Sequence, residues 1–337
     1  MIPWRKSSKG GGEIKRVLVI QLGGLAEFIP ALAAAKRIRD FHIGAHITLL
    51  TTETTHELAK HCPYFDAVEA DGKPKEAQAI TKLIARVRAA KYDMIYDLEG
   101  SSRTANYFQG LRPWPPKWSG PVAGASHAYL DPERSELHPL DRFAEQLAVA
   151  DLAVEGAPLL PDLSWLRPAL RDPPRLRPDY FSLRGPYVLL LPRGAADEAN
   201  RRWPLEKYIE LAQRIAGRGV TPVVLGGPQE RNLGAAIVEA EPRAKNLVTR
   251  PDLFQCIGLA ERAAFAAGDD VDLMHVAAAA GAPGLVLLSS TPGPDQIAPR
   301  GRGGVVALTA TVVADLPVEQ VDAQLRNCGV YALAASA

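Results

Sequence analysis

The chain has little cysteine: Cys62, Cys256 and Cys328 stand far apart, odd in number and with no Cys-x-x-Cys pair. That pattern argues against a disulfide framework and against a zinc site, and it suits a reducing compartment. Long apolar runs are missing as well. The most apolar stretches, such as Tyr187 to Leu191 and Leu285 to Leu288, fall far short of the ~20 residues that span a bilayer. Met1 to Gly12 contain no apolar core behind their basic residues, so residues 1–13 read as a flexible tail rather than a secretion signal or an anchor. Nor is there an excess of charge of one sign. The 39 basic and 38 acidic side chains create no overall field that would draw the protein onto nucleic acid. Nucleic acid is not an expected partner. The expected location is the cytoplasm, with a peripheral contact at the inner membrane face left open. Two nucleotide fingerprints are absent too: Gly23-Gly24 lacks the third glycine of a dinucleotide turn and a good acidic partner, and no Gly-x-x-x-x-Gly-Lys-Ser/Thr occurs, which weakens a dehydrogenase or P-loop reading.

What is present is a regular alternation. Short β-type runs (Arg16 to Leu22, Ile47 to Thr51, Ala67 to Glu69, Tyr92 to Leu98) are separated by helical segments, one with an apolar face at Leu32, Ala35 and Ile38 and one from Lys75 to Ala90. This pattern predicts a parallel sheet covered by helices on both faces. It restarts with Tyr187 to Leu191, Thr221 to Leu225, Asn246 to Val248, Ala263 to Ala267 and Gly284 to Leu288, with helices expected over 205–218, 229–240 and 273–280. At 337 residues the chain has room for two cores. The expected architecture is α/β, two Rossmann-like domains facing a cleft: residues 14–170, a proline-rich linker over 171–185, and residues 186–337. Ligands of such sheets bind beyond the carboxyl ends of the strands, where helix N-termini present free N–H groups.

Five segments add a resemblance. Gln21-Leu22-Gly23-Gly24-Leu25-Ala26-Glu27-Phe28-Ile29-Pro30-Ala31-Leu32, Tyr92 to Arg103, Arg201-Arg202-Trp203-Pro204-Leu205-Glu206, Val224 to Glu230 and Gly268 to Pro283 resemble, in order, the motifs of glycosyltransferase family 9, the heptosyltransferases of lipopolysaccharide core assembly. The resemblance implies a GT-B fold and an inverting, metal-independent transfer of a sugar. The expected donor is ADP-heptose and the expected acceptor a lipopolysaccharide-core or related glycan, lipid-linked or free, with no cofactor beyond the nucleotide sugar. It assigns Glu27 as the catalytic base, Gly194, Arg201, Glu230, Asp270, Val271, Asp272 and His275 to the donor side, and Gly23, Gly24 and Arg103 to the acceptor side.

The residues themselves leave alternatives. Glu27 stands where the family pattern has Asp, and a carboxylate there equally complements a helix dipole. Arg201 suits a phosphate, yet Arg201 and Arg202 also read as a solvated basic pair. Glu230 is expected on the donor's ribose, or is simply a first-turn acid. In the phosphate turn Val271 and Asp272 replace the family's Thr and Gly, so a hydroxyl is lost and a negative charge faces the expected phosphate unless the side chain turns away. Asp270-Val271-Asp272 also spells a metal-binding DxD, and His275 is either a phosphate ligand or a packed ring. The stretch Trp114 to Gly120, with His127 and His138, reads as irregular acceptor-binding loops. These departures together keep open a second class of function, a glycosyltransferase-like binding or scaffold protein without turnover.

Overall fold

The computed structural model describes residues 14–153, 158–193 and 201–335; the expected tail and Gly194 lie outside them. Twelve strands form two six-stranded sheets. The first contains β1 (Arg16–Ile20), β2 (His46–Leu50), β3 (Ala67–Glu69), β4 (Met94–Asp97), β5 (Lys117–Gly120) and β6 (His127–Ala128). The second contains β7 (Tyr187–Leu191), β8 (Thr221–Val224), β9 (Lys245–Asn246), β10 (Phe265–Gly268), β11 (Gly284–Ser289) and β12 (Val305–Ala310). Their orders are β3-β2-β1-β4-β5-β6 and β12-β11-β10-β7-β8-β9, the same 3-2-1-4-5-6 winding read from opposite edges, and the pairings are parallel. This is the GT-B type of α/β architecture.

Helices on both faces explain the composition of the strands. β7 and β11 are buried along their full length, as parallel strands covered twice must be, so they read as unbroken apolar runs. The helices α1 (Leu25–Phe41), α2 (Glu53–Lys60), α3 (Ala77–Ala89), α4 (Ser102–Leu111) and α5 (Pro139–Val149) surround the first sheet, and the short α6 (Leu166–Ala169) lies in the connection. The second sheet carries α7 (Leu205–Ala216), α8 (Arg231–Ala240), α9 (Leu253–Arg262), α10 (Val271–Ala280), α11 (Pro294–Ile297) and α12 (Val318–Asn327). On α7 the buried residues Tyr208, Leu211, Ala212 and Ile215 recur at helical spacing and make one apolar stripe. In α10 every residue from Met274 to Ala280 is buried, because this helix lies between its own sheet and α1. Both helices are alanine-rich where they meet, which permits close approach, and one continuous apolar core runs from Val17 and Leu49 through Ala34 and Val276 to Leu189 and Val286.

Two segments differ from the sequence reading. Lys117–Gly120 is a paired strand rather than an irregular loop, with Trp118 fully buried against Phe108; the flanking prolines at 113, 115 and 116 hide the aromatic strand signal. The proline-rich connection carries α6 and short turns at Pro174–Leu176 and Pro178–Phe181, with Leu166, Leu176 and Phe181 buried. Pro174 and Pro178 open those turns, where the missing N–H costs nothing.

Candidate active site

In each sheet the winding reverses beside the first strand, and the two C-terminal edges face each other. In the first sheet β1 runs into Gln21-Leu22-Gly23-Gly24 and then α1. The loop is tied by its own side chains: Gln21 Oε1 accepts from Gly23 N at 2.7 Å, and Glu99 Oε2 accepts from Leu22 N at 3.0 Å. Glu27 lies in the first turn of α1, exposed, and folds back over the diglycine. A Cβ on Gly23 would lie 2.5 Å from that of Glu27, so only glycine lets the carboxylate lie there.

The second sheet repeats this arrangement after β8. Gly226 and Gly227 lead into Glu230, whose Oε2 accepts from Gly227 N at 2.6 Å, and a Cβ on Gly226 would meet the Cβ of Glu230 at 2.8 Å. Glu27 is exposed, whereas Glu230 is buried. The two Gly-Gly-x-x-Glu segments thus have one local design on two different strands.

After β10 comes Asp269, which the sequence reading passed over. It is buried and takes three donors: Arg193 N at 2.9 Å and Tyr208 Oη at 2.5 Å on Oδ1, and Trp203 N at 2.8 Å on Oδ2. This one carboxylate thus ties Arg193, at the end of the β7 segment, to Trp203, directly before which stand the half-buried Arg201 and Arg202. The available signal was an acid directly after a buried strand, where a charge persists only with several donors. Next, Asp270 caps α10, its Oδ1 accepting from Leu273 N at 3.1 Å. Burial, reinforced by the charges of Asp272, Glu230 and Asp269, pushes its carboxyl up to about 7. The N–H groups of Val271 and Asp272, first in the helix, have no partner among the described residues, as expected of a helix start that can take an anion. Val271 turns its side chain against the apolar core.

Asp272 lines the cleft and reaches α1. Its Oδ1 accepts from Ala26 N of α1, in the opposite sheet's domain, at 3.1 Å. Asp270 and Asp272 are therefore each engaged with backbone N–H groups of different helices. A cleft of 420 Å³ is lined by Leu25, Gly226, Gly227, Glu230, Asp270 and Asp272 with Cys256 and Leu253. Glu27 follows Leu25 by two residues in the first turn of α1. A second cavity of 790 Å³ lies on the other side of Gly23 and Gly24, lined by Thr52, Thr54, Lys73, Pro74 and Lys75; Arg103 donates to Pro74 O at 2.9 Å and so braces its wall.

The structure thus brings Glu230, Asp270 and Asp272 around one cleft with Leu25 of the first turn of α1, the turn that also holds Glu27, while Gly23 and Gly24 line the second cavity and His275 stands apart. His275 is buried on α10 and is not among the residues lining the cleft; burial and the neighbouring His138 push its imidazole down to about 3. His138 is buried as well and is no acceptor loop residue: its Nε2 donates to Ala298 O across the domain junction at 3.0 Å, while its Nδ1 accepts from Leu140 N. Trp114 is 89% exposed, and His127 pairs with Ser126 in β6.

A model of glycosyltransferase family 9 (heptosyltransferase) matches residues 80–308, more than half of the chain. No curated protein sequence matches it. Among solved structures, a family 9 glycosyl transferase from Veillonella parvula DSM 2008 is 18% identical, covers 94% of this chain and 98% of its own, and superposes with a TM-score of 0.77. The ADP-heptose lps heptosyltransferase II of E. coli is 19% identical over 93% of this chain and 98% of that one, with a TM-score of 0.73. E. coli heptosyltransferase WaaC with ADP is 18% identical over 93% and 99%, with a TM-score of 0.74. At these identities the likeness is one of fold.

Proposed function

Because the chain belongs to glycosyltransferase family 9, we propose that it performs an inverting, metal-independent transfer of a heptose from an ADP-linked donor to a lipopolysaccharide-core or related glycan acceptor at the cytoplasmic membrane face. The observation that carries the reading is the opposition of two helix starts at one cleft: the first turn of α1, which lines it through Leu25 and holds Glu27, and α10 with Asp270 and its open N–H groups. In this reading the diphosphate rests on the N–H groups of Val271 and Asp272 with Arg201 beside it, and Glu230 takes the ribose hydroxyls. The Glu27 carboxylate takes the proton of an acceptor hydroxyl as that oxygen bonds to the anomeric carbon. The bond from that carbon to the diphosphate breaks on the opposite face, and its electron pair leaves with the nucleotide.

The test is Glu27→Gln, with donor turnover and nucleotide affinity measured together. Transfer is expected to vanish while the affinity stays within about twofold. Unchanged turnover would remove Glu27 from the role.

One observation favours a second reading. Glu230, Asp270 and Asp272 crowd three acids around the cleft, an adverse field for a diphosphate, as in a binding protein that has lost turnover. Calorimetry with ADP, GDP and UDP separates the two, since a transferase binds at least one of them and a scaffold with a degenerate cleft binds none at millimolar ligand.

A further inference from the structure

We infer that Asp272 is a positioning residue, capping the first turn of α1 from across the cleft and thereby holding Glu27 in place; the role of Glu27 rests on the reading proposed above. The first turn of α1 is weak by its own sequence. Its N-cap is Gly24, which has no side chain to accept from the open N–H groups. Pro30, inside the helix, has no N–H to donate to the carbonyl of Ala26, so the turn also lacks a bond on that side. Phe28 N to Gly24 O, at 2.9 Å, is the first regular helical bond.

Into this gap comes Oδ1 of Asp272, 3.1 Å from Ala26 N and 246 residues away in sequence. It supplies what Gly24 cannot: an acceptor, and a negative charge at the positive end of the helix. Asp272 is free for this task because Asp270 already caps α10. The residue next to the capped N–H is Glu27, so the contact couples the donor-side helix to the position of the carboxylate. The departure from the family's glycine at this site is then a built contact rather than a lost phosphate turn, and Gly24 and Asp272 form a pair in which the side chain missing from one helix is provided by the other.

The experiment uses three single variants of the full chain and one double. Asp272→Ala removes the acceptor. Asp272→Asn keeps an oxygen in its place. Ala26→Pro removes the N–H at a first-turn position where proline is tolerated. With a turned-over donor, Asp272→Ala is expected to lower kcat about tenfold with the donor KM changed less than about twofold, since misplacing a catalytic group is costly. Asp272→Asn should recover most of the rate. Asp272→Ala made in the Ala26→Pro background should add no further loss, as two ends of one bond do not act independently. An unchanged kcat in Asp272→Ala, equal losses in the Ala and Asn variants, or multiplying losses in the double variant would each overturn the inference. The same proteins are melted without substrate, where each single variant removing the bond should lower the midpoint by about 3 °C and the double should fall no further. This second readout needs no turnover. A protein that transfers no sugar but shows the coupled midpoints refutes the transferase reading and leaves the cap intact, whereas additive midpoints in an active enzyme do the reverse.

Discussion

Acidification should loosen this molecule at the junction of its two domains, and His138 provides the handle for measuring it. The ring is 1% exposed, caps α5 through Nδ1, which accepts from Leu140 N at 3.1 Å, and donates from Nε2 to Ala298 O at 3.0 Å. Only the neutral tautomer with its proton on Nε2 satisfies both bonds; a second proton on Nδ1 would face the Leu140 N–H. Burial first, then the positive charge of Arg300, with Arg142 adding to it against Asp141 and the Ala298 carbonyl, push the imidazole down to about 4. The sign follows. The native state refuses a proton that the unfolded chain takes up near 6.5, so the stabilisation is complete above 6.5 and is lost as pH falls from there toward about 4. Across that window one refused proton amounts to about 3 kcal/mol. We expect urea midpoints of the wild type to fall between about pH 7 and about pH 5. His138→Asn keeps the helix cap, since asparagine is a good N-cap, but loses the bond to Ala298, at a cost of about 1 kcal/mol at neutral pH. Its decline with acid should be shallower by one proton, while His42 and His275, also held neutral by burial, titrate alike in both proteins. Parallel pH curves for the two would refute the reasoning.

Two further outcomes follow from buried groups. Asp97 is fully buried at the end of β4, with Oδ1 accepting from Gly100 N and Oδ2 without a hydrogen-bond partner among the described residues. Burial raises its carboxyl to about 7 from 3.8, so its contribution to stability is full below 3.8 and is lost as pH rises through about 7. Asp97→Asn should gain up to about 4 kcal/mol at about pH 8 and little in acid, and a wild-type-like or lower chemical denaturation midpoint at about pH 8 would contradict this. Gly268 ends β10 directly opposite Leu191 of the parallel neighbour β7, and a Cβ there would lie 2.0 Å from Leu191 O. Gly268→Ala must therefore force the strands apart, and a loss of about 3 kcal/mol or more is expected by thermal melting; a normal midpoint would mean that the sheet tolerates the separation.

The sequence by itself determined much of this. Parallel strands covered on both faces must be apolar throughout, so Tyr187 to Leu191 and Gly284 to Leu288 announced the second sheet, and the restart of the pattern announced two similar halves. The segments holding Glu230 and Asp270 were marked by the family resemblance, whereas the contact of Glu230 with its diglycine and the capping of α10 by Asp270, though local devices, were read only from the structure. Other features were hidden by local chemistry: prolines masked the strand around Trp118, and Asp269 resembled an ordinary loop acid until its three donors, drawn from 193, 203 and 208, were brought around it. Tertiary structure alone decided where Asp272 goes. Read in its own helix, the residue is a misplaced charge in a phosphate turn; in space its carboxylate reaches a backbone N–H of α1. His138 and His275 likewise became neutral junction residues only when α5 and α10 were both packed against α1. What separates the two kinds of feature is the range of the force that fixes them. Periodicity and capping act within a few residues, whereas desolvation and contacts such as that between Asp272 and Ala26 depend on which distant surfaces the fold brings to meet.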